Sequence, residues 1–113
     1  MEYIGYIAAS AGAAPLTRDG WLQLISDRSD LVRAPSRLVR NPATGRPIEA
    51  RPPPDAVQLI RDDSNLGSFS WAQDDSASVT VMCSDGNREL MAKAAREFAQ
   101  MIGGVFSEYR TAS

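Results

Sequence analysis

The chain has 113 residues, 43% hydrophobic and 23% charged, the size and proportions of a single globular domain with one modest core rather than a disordered chain. Its net charge of −2 argues against a dedicated nucleic-acid binder, and no apolar run approaches the roughly 18 residues that cross a bilayer. Histidine is absent, which removes His-based triads, histidine metal centres and imidazole acid–base catalysis.

Residues 2–9, "EYIGYIAA", are aromatic and β-branched and predict a strand. Strict alternation would turn Ile4, Tyr6 and Ala8 to one face and Tyr3 and Ile7 to the other, so the strand should be central or covered. The small residues near position 13 imitate a signal-peptidase site, but Glu2 stands where a basic segment belongs, and no leader is expected. "LTRDGWLQLISD" (16–27) has the start signals of a helix. Thr17 is the expected N-cap, Asp19 suits the first turn, and Leu16 and Trp21 have the spacing of a hydrophobic staple. Trp21, Leu24 and Ile25 share its apolar face.

Residues 28–47 are polar and Arg-rich without clear period. "NPATG" (41–45) marks a turn, "PIEA" (47–50) a short extended piece, and prolines 52–54 a polyproline II segment. Three strands follow: 56–61 with Val57 and Leu59 inward, 68–73 with Phe69 and Trp71 on one face, and 78–83 with Val79, Val81 and Cys83 on one face. Their connections carry Asp, Asn, Ser and Gly, which predicts an antiparallel meander. "NRELMAKAAREFAQMI" (87–102) has the strongest helical period. Leu90, Met91, Ala94, Phe98, Met101 and Ile102 form the expected apolar stripe, Glu89 and Lys93 are spaced for an i,i+4 pair, and Gly103 suits the C-cap. Residues 105–110 predict a last strand. The resulting order, β-α-β-β-β-α-β with an extra short strand near Ile48, predicts a single α+β domain. It would have a mainly antiparallel sheet and both helices on one face.

Charge is uneven along this frame. Leu31 to Pro54 hold five arginines against Glu49, whereas Asp62 to Glu89 hold six acids against Arg88. The acid pairs Asp62–Asp63 and Asp74–Asp75 flank a predicted strand and lie roughly 20 Å apart, too far to share a metal or a glycosidase-type site. Asp63, Asn65 and Asp74 fall at EF-hand offsets, but Ser68 takes the glycine position and no helices flank the loop. They read as solvated turn residues, and no metal or cofactor is expected. Cys83, the single cysteine, fits a reducing compartment and reads as a small buried hydrophobe. A cytoplasmic location follows as the expectation.

The stretch 40–55, "RNPATGRPIEARPPPD", holds five of the chain's seven prolines. "NPATG" imitates a sortase signal without the hydrophobic segment and basic tail such a signal needs, and no PxxP spacing occurs. Two readings stay open: a stiff connection at the sheet edge, or a binding surface whose arginines carry the affinity. Arg37, Arg40, Arg46 and Arg51 are the candidate partner-binding residues on the second reading.

The opening aromatic strand with Tyr3, the Thr17-started helix bearing Trp21, and the "NPATG" turn before an extended piece together resemble a group of small bacterial proteins of unknown function with an Asn-Pro-x-Thr-Gly turn. The resemblance covers most of the chain as an arrangement and brings no known activity with it. Small α+β proteins of this kind include toxin-immunity and accessory proteins. The leading expectation is therefore a non-catalytic protein-binding module with a protein partner, possessing no nucleic-acid or membrane role. A self-associating structural domain, a homodimer, is the second reading. A small enzyme using Asp, Glu, Arg or Tyr is the third.

Overall fold

The computed structural model describes residues 2–50, 52–73 and 77–109. Among them eight strands and two helices follow one another along the chain: β1 (Glu2–Ala9), α1 (Arg18–Asp27), β2 (Leu31–Arg33), β3 (Arg37–Arg40), β4 (Pro47–Ala50), β5 (Ala56–Arg61), β6 (Ser64–Gln73), β7 (Ala77–Cys83), α2 (Arg88–Ile102) and β8 (Gly104–Glu108). Six strands make one antiparallel sheet in the order β2-β5-β6-β7-β1-β8, and β3 and β4 pair only with each other. The α+β architecture with both helices on one face of the sheet is as expected.

The core lies between that face and the helices. Phe69 on β6 is the hinge point: its ring meets Trp21 of α1 at 5.9 Å and Phe98 of α2 at 5.3 Å between centroids, and all three are fully buried. Trp21 also satisfies its indole N–H on the carbonyl of Asp55 at 2.9 Å, so its burial leaves no orphan donor. Thr17 caps α1 by accepting from the Gly20 amide, and Leu16 and Trp21, which have the staple spacing, are both buried in the same core. Gly103 ends α2 at φ 78°, in the left-handed region that a C-cap requires. The opposite face of the sheet, with Gln58, Ser68, Ser70, Ser78 and Thr80 partly exposed, has no helix over it.

Two expected faces need correction. On β1 the register shifts between Tyr3 and Gly5, a bulge that inserts Ile4 as an extra residue. Ile4 and Ile7 therefore both enter the core while Tyr3 and Tyr6 face out, which strict alternation could not give. Gly5 beside the bulge lets β8 close in, since a Cβ there would collide with the Ser107 carbonyl oxygen. On α2 the buried face is Met91, Ala92, Ala94, Ala95, Phe98 and Ala99, whereas Leu90 and Met101 remain 51% and 56% exposed. The alanines let the helix sit close to the sheet, and the two larger side chains are turned to the flanks. Glu89 and Lys93 form no ion pair.

Residues 28–47 contain two strands that have no apolar period to announce them. β2 is three residues at the sheet edge against β5, and β3 with β4 is a two-stranded ribbon that projects from the sheet. No other element packs extensively on that ribbon. The Cα radius of gyration, 15.2 Å, exceeds the roughly 13 Å of a compact chain of this length, as a projecting arm requires.

Candidate functional site

The arm is built by local chemistry at its tip and by prolines at its root. The Asn41 side chain accepts the Ala43 amide at 2.9 Å, the Asn41 carbonyl accepts the Gly45 amide at 2.7 Å, and the Thr44 hydroxyl accepts the Arg46 amide at 3.3 Å. These bonds close the turn, and Gly45 supplies the left-handed residue at φ 70°. "NPATG" is therefore a hairpin turn, and the extended "PIEA" is its returning strand. At the root the Arg33 guanidinium donates to the Pro52 carbonyl at 2.7 and 3.2 Å, tying the outgoing chain to the returning one.

Apolar side chains stand in water along this ribbon. Val39 faces Ile48 and Leu38 faces Glu49 across the strands. Leu38 is 73% exposed, and Val39 and Ile48 are also exposed. A two-stranded ribbon with both faces wet gains little from its own packing. A groove of about 600 Å³ opens at the root, lined by Pro35, Pro52, Gln58, Ser68 and Ser70 among others. It lies on the helix-free face of the sheet.

The arginines divide into two populations. Arg18 bonds Asp55 at 2.8 Å, Arg28 bonds Asp30 at 2.9 Å, Arg61 reaches the same Asp30 at 3.3 Å, Arg88 bonds Glu108 and Glu2 at 3.3 Å, and Arg96 reaches Glu108 at 3.6 Å. Each of these sits on the body of the protein. By contrast Arg33, Arg40 and Arg46, all exposed and all in the arm or its root, have no carboxylate partner among the described residues. Of the four candidate arginines, Arg40 and Arg46 are thus placed on the arm with their charges uncompensated. Arg51 and the side chain of Arg37 lie outside the described residues.

The remaining candidates are explained by structure. Asp62 and Asp63 form the exposed two-residue turn between β5 and β6, at the opposite end of β5 from the arm and roughly 20 Å from it. Asp74 and Asp75 lie outside the described residues. No group of three or more Cys, Asp or Glu among the described residues is arranged to hold a metal. Cys83 is buried, and burial first, then the charge of Glu2, pushes its thiol up from the ordinary value, opposite to what a nucleophile needs. Asp30 sits between two guanidinium groups. The Arg28 hydrogen bonds hold its carboxyl below the usual range against the opposing effect of burial, with the Arg28 charge and then Arg61 adding to them. That cluster clamps the end of α1 to β5 and is structural.

No protein family, no curated protein and no solved structure matches this chain.

Proposed function

We propose that the protein is a non-catalytic protein-binding module, of the immunity or accessory type that the sequence resemblance suggests, and that the β3–β4 arm is its binding element. The observation that carries the reading is the division of the arginines. Body arginines are paired, while Arg33, Arg40 and Arg46 stand unpaired beside exposed Leu38, Val39 and Ile48. Arginine and large apolar residues together on a protruding element are the composition of an interface core. Exposed arginines can make forked contacts to carboxylates that a body pair would already have used.

The test is affinity capture from the protein's own lysate with wild type and with Arg37, Arg40, Arg46 and Arg51 all replaced by serine. Exposed charge changes move stability by about 0.5 kcal/mol or less apiece, so the variant should melt close to wild type. It should nevertheless lose a stoichiometric protein partner. A folded variant that keeps every partner returns the arm to a connection. The self-associating reading is favoured by the exposed apolar trio. It predicts a homodimer in light scattering that Leu38→Ser dissolves.

A further inference from the structure

We infer that the free edge of β3 is a docking edge at which an extended, acidic segment of another protein adds as a third strand; this rests on the arm being the binding element. The phase of the ribbon identifies the edge. The Asn41 amide donates to the Arg46 carbonyl at 2.9 Å, and the register continues as Arg40–Pro47, Val39–Ile48, Leu38–Glu49 and Arg37–Ala50. Antiparallel pairs alternate between bonded and non-bonded. Val39 and Ile48 therefore bond each other, and Leu38 and Arg40 turn their backbone N–H and C=O groups outward. On β4 the outward positions are Pro47 and Glu49, and proline has no N–H to offer. One edge of the ribbon is blunted and the other is open.

Side chains then set the partner's chemistry. Leu38 and Arg40 share one face of the ribbon with Pro47 and Glu49 of β4, and Val39, Ile48 and, by register, Arg46 share the other. An added strand would lie directly beside exposed Leu38 and Val39 and the uncompensated Arg40, with Ile48 and Arg46 one strand further away. Alternating acidic and apolar residues satisfy both, with the backbone ladder supplying affinity and the side chains specificity. A second copy fits less well, because pairing β3 with itself brings two segments of five arginines and one acid together. Nucleic acid would use the arginines but find no aromatic residue between Leu31 and Pro54 on which to stack a base. The prolines and the Arg33–Pro52 bonds hold the edge in place, so little order is lost on docking.

The probe is a dye-labelled, capped peptide of alternating Glu and Val, titrated into the full chain and followed by fluorescence anisotropy. Saturable binding is expected that weakens with salt, is lost when the peptide is N-methylated throughout, and is lost in Leu38→Pro but not in Leu38→Ala. Leu38→Pro removes an outward amide and no bond of the ribbon, and its melt reports that the body is folded. Equal binding of the methylated peptide to wild type overturns strand addition and leaves a charged docking arm. Absence of peptide binding, while the four-arginine variant still loses its captured partner, overturns this inference alone. If that variant keeps every partner as well, the binding role falls too. A dimer dissolved by Leu38→Pro, or tighter binding of a single-stranded oligonucleotide than of the peptide, overturns it in favour of those occupants.

Discussion

Truncating Phe98 tests the centre of the fold, and the same helix supplies its control. Phe98 is fully buried, lies edge-on to Phe69 at 5.3 Å, and has the Arg28 guanidinium 4.9 Å from its ring centroid. Phe98→Ala removes the ring from between sheet and helices and leaves a hole that the flanking alanines cannot fill. Such truncations cost about 3–5 kcal/mol. At roughly 4 °C per kcal/mol for a domain of this size, Tm should fall by about 12–20 °C. Leu90, about two turns away in the same expected stripe, is half exposed. Leu90→Ala should cost less than about 1 kcal/mol, as for a mostly solvated side chain. Urea unfolding of both variants, read by tryptophan fluorescence, measures the two costs; an unchanged slope for each would show that the same surface is exposed on unfolding. If Leu90→Ala proves as costly as Phe98→Ala, or Phe98→Ala costs under about 1 kcal/mol, α2 is rotated and the assignment of its buried face is wrong.

Two further outcomes concern the body of the protein. Asp62 and Asp63 both hold positive φ, 52° and 61°, in the turn flanked by the Arg61–Ser64 pair, where a tight hairpin favours Asn-Gly; Asp63→Gly should raise stability by up to about 1 kcal/mol in urea melts, and a loss would mean the aspartate itself holds the turn. Asp30 has a folded pKa below its ordinary value, so its charge stabilises the fold above the unfolded pKa of about 3.9 and that stabilisation is lost as pH falls through the folded value. Asp30→Asn should therefore lower the urea midpoint at pH 7 and converge on wild type in strong acid, whereas a constant gap would place the effect in packing rather than charge.

What the sequence disclosed follows burial. The start of α1 was legible because Thr17, Leu16 and Trp21 each have a local mechanism, and the strands at 56–61 and 78–83 were legible because one face of each enters the core. The bulge at Ile4 was not, since one inserted residue changes no composition and only reverses the faces that follow. On α2 the alanines at 92, 95 and 99 gave a weak hydrophobic signal, yet they are buried because their small size lets the helix approach the sheet. β3 hid for the opposite reason, while β4 was read only as the short extended piece "PIEA". Water lies on both sides of the ribbon, so nothing imposes an alternation on "RLVR" or "PIEA". The signal present was the turn, Asn41 to Gly45, followed by one short extended piece, and the strand of equal length before it had none. Arg40 and Arg46 were named from the sequence, but the contrast between them and the paired arginines of the body was not legible, because pairing depends on which carboxylates the fold brings near.

The topology makes the arm an addition to the fold rather than a part of it. β2 and β5 are direct antiparallel neighbours, with Arg33 opposite Val57 and the Ala34 amide bonded to the Ala56 carbonyl. Strands so placed are ordinarily joined by about 2–5 residues, yet here residues 34–55 intervene. Among the described residues of this connection, Ala34 extends the β2–β5 ladder and Asp55 serves the body through its carbonyl on Trp21 and its carboxylate on Arg18. Lengthening the connection costs little: loop-closure entropy rises by about 1.5 kcal/mol between a short turn and a connection of this length. The fold can therefore carry the arm, but gains no core from it, since Leu38, Val39 and Ile48 are exposed and its unpaired charges are solvated. A proline-stiffened ribbon with one blunted edge and one open edge has little to contribute to stability, and it is this lack of a structural role that the proposed binding function would account for.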